Sequence, residues 1–415
     1  MSLYAPWSLR ELVRELATGA TTPAAALDRA RSRIADTEPE LAAWVVQEPS
    51  PDTTSVMGVL GGVPFGVKDI IDVAGLPTRC GSALRADLPA ATADAPIVRA
   101  WRSAGAVVVG KTVTTEFAFF APGPTDNPAA QGHTPGGSSS GSAAAVASGQ
   151  VPLAIGSQTA GSVTRPAAYC GVASLVMTHG RFPVDGVVGL SPNLDSHGVY
   201  AAGVGDVAVA WAALTGTRPA AAPSRPLRVL SWTAEPIGVV DDEMRQALET
   251  LRKQLTEGGA VVDEFPEERL IAEVTAAHPV VMAYEAARER DRELAAADRL
   301  SEPLARLLQT GAATPVADYH AAQRTVAEAR GRIAGLLASY DVIVGPAAPG
   351  AAPAGLEATG DPVLSRAWQA LGLPVVTIPG LRGTAGLPLG VQAIGPARGE
   401  TDLLARAAWI ETRLS

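Results

Sequence analysis

Three short stretches hold the residues that could do chemistry. GVPFGVKDIIDV places Lys68 inside an apolar run. HTPGGSSSGSAAAVASG sets Ser138, Ser139 and Ser140 in a glycine-rich turn. GSQTAGSVTRPAAYCG gathers Ser157, Thr159, Ser162 and Thr164 among glycines and alanines, with no histidine or carboxylate beside them. A serine hydroxyl becomes a useful nucleophile only when a base removes its proton. Small residues leave backbone amides bare. A lysine in a strand-like apolar run is unusual, because Lys is almost never fully buried without a reason. The plainer reading of Lys68 is an exposed strand end, or a pair with Asp69 or Asp72.

A second nucleophile motif competes. Gly137 to Gly141 fits G-x-S-x-G, the strand-to-helix elbow that would present Ser139. That chemistry needs a later carboxylate and a histidine, and His179, His197, His278 and His320 follow it. Neither the phosphate-cradling G-x-x-x-x-G-K-[ST] nor G-x-G-x-x-G occurs. No H-x-H or H-E-x-x-H spacing points to a metal.

The elements that must position these residues read as α/β. The 415-residue chain is 47% hydrophobic and 18% charged, with 5% aromatics, enough for a large core of closely packed small residues. Ser8, with Glu11 three residues on, opens a helix over 8–20, and Pro23 begins a second over 22–36. Buried strands are expected at GVPFGVK, AVVVGK, VPLAIGS, LRVLSW, YDVIVGP, LGLPVVTIPG and GLPLGVQAIG. A good helix covers 241–255, residues 267–340 are mostly helical, and a last helix covers 400–413. The stretch 216–226 is a long loop. The expectation is one domain over 1–415. Its core at 60–205 holds the chemistry, a helical substrate-side region covers 216–340, and strands in 341–415 return to the same mixed, mostly buried sheet.

The net charge of -9 argues against nucleic acid. Two cysteines, Cys80 and Cys170, make a disulfide framework improbable and a cytoplasmic setting the expectation. No apolar run reaches the length of a membrane span.

Taken together and in order, GVPFGVKD, GKTVTTEFAFF, PGGSSSGSAAAVASG, GSQTAGSVTRPAAYCG, YDVIVGPAAP and GLPVVTIP with GLPLGVQAIG resemble the amidase signature family over nearly the whole chain. The resemblance implies a Ser-cisSer-Lys triad. Ser162 would be the nucleophile, Ser138 would follow a cis peptide bond from Gly137, and Lys68 would be the distal base. It implies an oxyanion hole of backbone amides around Thr159, Ala160, Gly161 and Ser162. It also places Phe117 and Phe119, with Phe120, along an apolar acyl pocket, Trp368 and 371–374 forming the opposite wall. No cofactor is implied. The sequence departs from the common pattern in places. Gln158, Ala160 and Thr164 stand where Asp, Gly and Arg are usual, Arg165 coming one residue later. Ser140 replaces a Gly, and Val176 and Met177 replace Lys and Pro.

The implied activity is hydrolysis of a small carboxamide, releasing ammonia or an amine, by a homodimer without nucleic acid or membrane. A urea- or carbamate-type bond is the alternative, and the amidase component of a tRNA-dependent amidotransferase a third. One experiment separates the two nucleophile motifs. Ser162→Ala is expected to abolish turnover while Ser139→Ala and each histidine variant retain it. Loss of turnover in Ser139→Ala and in one histidine variant, with Ser162→Ala active, would select the elbow.

Overall fold

The apolar runs become strands of a single sheet. The computed structural model describes residues 2–51 and 57–414. In chain order the strands among them are β1 (Trp44–Gln47), β2 (Pro64–Lys68), β3 (Val107–Thr112), β4 (Leu153–Gln158), β5 (Ala173–Val176), β6 (Ser196–Ala201), β7 (Arg228–Ser231), β8 (Val261–Glu264), β9 (Val342–Pro346), β10 (Val375–Arg382) and β11 (Pro388–Ile394). They lie side by side in the order β1-β3-β2-β4-β6-β5-β10-β11-β9-β7-β8. Both ends of the chain therefore contribute to one sheet, as expected for a single α/β domain.

The sheet is mixed. β3, β2 and β4 run parallel, as do β8, β7 and β9, while the strands between them pair antiparallel. Every residue of β2, β3, β4, β6, β9 and β11 is buried, which fits strands covered on both faces and explains their unbroken apolar runs. The chain goes from β2 to β3 on one side and then crosses to β4 on the other. Such a reversal opens a crevice at the carboxyl ends of the parallel strands, where open α/β sheets bind their ligands. Lys68 closes β2, and Ser157 and Gln158 close β4, at that edge.

The crossover from β3 to β4 uses the helix Ser140–Ala147, all of it buried. Only small residues fit there. A Cβ on Gly141 would lie 2.3 Å from the Ala43 carbonyl oxygen and 2.4 Å from the Val113 amide nitrogen. Its hydroxyls are satisfied by the strands it crosses. Ser142 Oγ lies 2.7 Å from Thr112 Oγ1 and donates to the Ile155 carbonyl at 3.0 Å.

The expected helices form with shifted ends. The first spans Leu9–Thr18, with the Ser8 hydroxyl accepting from the Glu11 amide. The second runs past 36 to Leu41, with Pro39 inside it. Asp241 caps Asp242–Glu257. The helical region consists chiefly of Glu268–Glu289, Glu302–Ala313 and Val316–Leu337. Residues 216–226 contain no helix or strand. β1, β5, β6 and β8 and the helices Val204–Thr215 and Val363–Leu371 were not among the expected elements. Both cysteines are free and buried. No helix among the described residues is long and apolar enough to cross a membrane.

One buried ion pair joins the parallel strands. Lys111 Nζ, at the end of β3, lies 2.9 Å from Asp69 Oδ1, and both side chains are fully enclosed. Lys111 also donates to the Pro77 carbonyl at 3.2 Å and the Thr78 hydroxyl at 3.0 Å. Burial pushes the Asp69 carboxyl up and Lys111 pulls it back. Removing one partner strands the other charge, a loss of about 3–5 kcal/mol. Lys111→Met is therefore expected to lower the urea midpoint sharply, and adding Asp69→Asn to recover part of the loss. A single variant as stable as the native chain would contradict this pairing.

Candidate active site

Lys68 is fully buried and has no carboxylate partner. Asp69, its neighbour in sequence, faces Lys111 instead. Among the described residues no ion pair forms at Lys68. Its amine is ringed by neutral groups: Ser138 Oγ at 2.7 Å, Ser157 Oγ at 3.0 Å and the Ser157 carbonyl at 3.3 Å. The exposed or carboxylate-paired lysine considered from sequence is set aside. Burial lowers the amine to about 7, with Asp195 and Cys80 working in the opposite direction. At neutral pH a large fraction is free base, ready to take a proton.

Ser138 lies where β2, β3 and the small-residue helix converge. The Gly137–Ser138 peptide is cis. The Ser138 carbonyl accepts from the Thr115 amide at 3.2 Å, and the Gly137 carbonyl accepts from Arg165 Nη2 at 2.7 Å. Ser138 and Ser162 line one small cavity together with Thr159, Ala160 and Gly161. Ser139 does not line it. Ser139 is fully buried, its hydroxyl donates to the Ser157 carbonyl at 3.3 Å, and its amide donates to the Ser162 carbonyl at 3.3 Å. Nε2 of His179, His197 and His278 lies against the carbonyls of Pro192, Pro183 and Thr159, and His320 is exposed beside Tyr319. The elbow reading of Ser139 therefore lacks both an exposed hydroxyl and a base.

The loop after β4 offers bare amides. Among the described residues no protein acceptor meets the backbone N–H of Ala160, Gly161 or Ser162. An incoming oxyanion would find donors free. Gly161 must be a glycine, since a Cβ there would lie 2.8 Å from Pro362 Cβ.

Distant segments fix this loop. Gln158 Oε1 accepts from the amides of Val163 and Thr164 at 2.9 and 3.0 Å, and its Nε2 donates to Gln369 Oε1 at 3.0 Å. Thr159 is gripped twice. Its hydroxyl donates to Asp195 Oδ1 at 2.5 Å, and its carbonyl accepts from His278 Nε2 at 2.8 Å. Burial pushes His278 down to about 4, so its ring is neutral and acts here as a donor. Asp195 also accepts from the amides of Leu190 and Ser191 at 2.8 and 3.0 Å. Burial raises its carboxyl, and these donors and Lys68 lower it. The Tyr200 hydroxyl donates to the Ser162 carbonyl at 3.1 Å.

The remaining walls are Ala118, Phe119, Phe120, Arg165, Leu190, Met282 and Pro362. Phe119 and Phe120 meet edge to face, their centroids 4.8 Å apart. Phe117, expected beside them, is turned away. Positive φ angles at Phe117, Ala118 and Phe120 reverse the backbone, and the Phe117 ring is sealed in the core. Trp368 likewise packs in the core against Trp232. Sequence reasoning did not find Asp195 or Met282, and named His278 only as a partner for the elbow serine. They come from segments far along the chain, without a local pattern. Among the described residues no group of three or more potential metal ligands assembles.

Comparison with known proteins bears on what this arrangement is for. The family model described as Amidase matches residues 37–404. AtzE, a 1-carboxybiuret hydrolase subunit from Pseudomonas sp. (strain ADP), is 34% identical, over 82% of this chain and 81% of its own. A glutamyl-tRNA(Gln) amidotransferase subunit from Lachnospira eligens is 29% identical over 95% of each chain. A crystal structure of an amidase superposes with a TM-score of 0.89 at 28% identity, over 99% of this chain and 100% of that one.

The depressed Lys68 amine has a consequence for stability. Its ordinary value is 10.5 and its folded value about 7, so between these the unfolded chain binds more protons. Lys68 therefore makes stability rise with pH across that window, and weakens the fold most below it. Lys68→Met is expected to be more stable than the native chain by about 2–4 kcal/mol at pH 7, the gap closing towards pH 10. A denaturation series at several pH values reads this directly. A gap that does not change with pH would contradict the burial of an uncompensated amine.

Proposed function

The chain belongs to the amidase family, and on that premise we propose that it hydrolyses a small carboxamide through an acyl-enzyme on Ser162. The observation that carries this reading is the 2.7 Å contact between the Lys68 amine and the Ser138 hydroxyl, in a place where no carboxylate claims the amine.

The steps follow from the groups present. Neutral Lys68 takes the Ser138 proton as Ser138 takes that of Ser162, a hydroxyl being able to donate and accept at once. Ser162 Oγ then bonds to the amide carbon, and the carbonyl electron pair moves to oxygen. The amides of Ala160, Gly161 and Ser162 receive that charge. Each such donor is worth about 3–4 kcal/mol to the transition state. The C–N bond breaks as Lys68 ammonium returns a proton through Ser138 to the leaving nitrogen. Ammonia or an amine departs, leaving an ester on Ser162. Water attacks the ester, giving its proton to the same relay. Collapse releases the carboxylic acid, and Ser162 regains its hydrogen.

Apolar walls from Phe119, Phe120, Leu190, Met282 and Pro362 favour an apolar acyl group. Relatives that are amidotransferase subunits make glutamine the informative control substrate.

Mass spectrometry of a quenched turnover mixture is expected to find the acyl mass on the peptide bearing Ser162. Ser138→Ala should slow turnover by about 10²–10⁴-fold, the usual worth of a positioned proton carrier. A Ser138→Ala enzyme as fast as native, or an adduct on another residue, would remove the relay. Glutamine consumed in preference to every simple amide would replace the proposed activity.

A further inference from the structure

We propose that His278 is a positioning residue for the reaction: by holding the Thr159 carbonyl it aims the Ala160 N–H at the substrate oxygen that becomes charged. This rests on the acyl-enzyme reading of Ser162 and adds to it a side chain that acts through the backbone.

His278 belongs to the helix Glu268–Glu289, 119 positions along the chain from the loop it touches. Its side chain is fully enclosed. Nε2 lies 2.8 Å from the Thr159 carbonyl oxygen, which can only accept, so Nε2 carries the proton. Nδ1 is buried without a partner. Burial disfavours the charged ring, and Arg366 pushes the same way. A neutral ring has a single proton to donate, and here Thr159 receives it. Enclosing an imidazole with one nitrogen unsatisfied costs the fold. The one hydrogen bond the ring makes among the described residues goes to the loop that precedes Ser162.

That bond reaches the chemistry through one peptide plane. Among the described residues only the Gly137–Ser138 bond is cis, so the Thr159–Ala160 peptide is trans. In a trans peptide the carbonyl and the following N–H share a plane and point in opposite directions. Fixing the Thr159 carbonyl therefore fixes the Ala160 N–H. That amide meets no protein acceptor among the described residues, and Ala160 lines the cavity with Ser162. Asp195 grips the Thr159 hydroxyl, but a side-chain bond leaves the peptide beyond the Cα free to turn. Small side chains at Ala160 and Gly161 would resist such a turn little. A carbonyl that accepts a hydrogen bond also polarises its peptide, which makes the N–H a stronger donor. Met282, one turn further along the same helix, lines the cavity, so one helix face supplies both the wall and the brace.

The test uses two variants of similar size. His278→Gln keeps an N–H donor, and His278→Met removes it. A whole oxyanion donor is worth about 10²–10³-fold in kcat, and a misaimed one loses part of that. His278→Met is therefore expected to lower kcat by about 10–100-fold with KM little changed, and His278→Gln to recover most of the loss. A short aldehyde closes on Ser162 as a tetrahedral adduct bearing an oxyanion, whereas the alcohol of the same chain length cannot. The preference for aldehyde over alcohol should fall in His278→Met by the same factor as kcat. In the native protein the His278 Nε2 proton, assigned by nitrogen-15 NMR through its absence in His278→Gln, should move downfield when the aldehyde binds. An unchanged kcat in His278→Met, equal losses in both variants, a change confined to KM, or a proton that does not move overturns this role while leaving the amidase reading intact. A Ser162→Ala enzyme that still turns over removes the acyl-enzyme reading and this inference with it.

Discussion

The structure depends on keeping one amine dry and without a counter-charge. Lys68 ends the central parallel strand, where covering layers exclude water. A carboxylate beside it would hold the proton and stop it acting as a base. The nearest in sequence, Asp69, is instead matched to Lys111 on the neighbouring strand. That pairing leaves Lys68 facing only hydroxyls and a carbonyl. Two lysines at the ends of adjacent strands thus have opposite fates, one neutralised by an ion pair and one by desolvation.

The loop after β4 follows from the same constraint. Under the proposed relay the reacting hydroxyl is reached through another, and the accepting amides come from backbone. Such a loop has little side-chain mass to hold it, so anchors arrive from elsewhere. Gln158 illustrates the fit between residues far apart. An aspartate, usual at this position in the resembled family, could accept from the Val163 and Thr164 amides. It could not also donate to Gln369 as Gln158 does. Gln369 in turn donates to the Gln158 and Leu194 carbonyls and to Ser196 Oγ, which joins the loop to β6. Glutamine here keeps the cap and adds a link to the helix Val363–Leu371.

Much of this was legible in the sequence. Lys68 stood out because charge is rare in an apolar strand, and the glycine and serine loops marked where backbone must approach closely. The strands with unbroken apolar runs were readable for the same reason. Lys111 gave an equal signal at the end of AVVVGK, and only the parallel register tells which lysine Asp69 meets. β1, β5, β6 and β8 have too little length or pattern to announce themselves; β8 is half exposed and charged at its end. Phe117 misled because three positive φ angles in four residues break the alternation that a strand or helix would impose. Asp195 and His278 meet Thr159 only through tertiary packing, which no local pattern encodes.

The sequence holds only three lysines, Lys68, Lys111 and Lys253, which makes the central claim directly measurable. Lysine labelled at the ε carbon would give three resonances in the native protein, each followed through a pH titration by NMR. One amine should titrate near pH 7 and vanish in Lys68→Met. Three amines that all stay protonated up to about pH 10 would contradict the account, because no free base would then exist to start the relay.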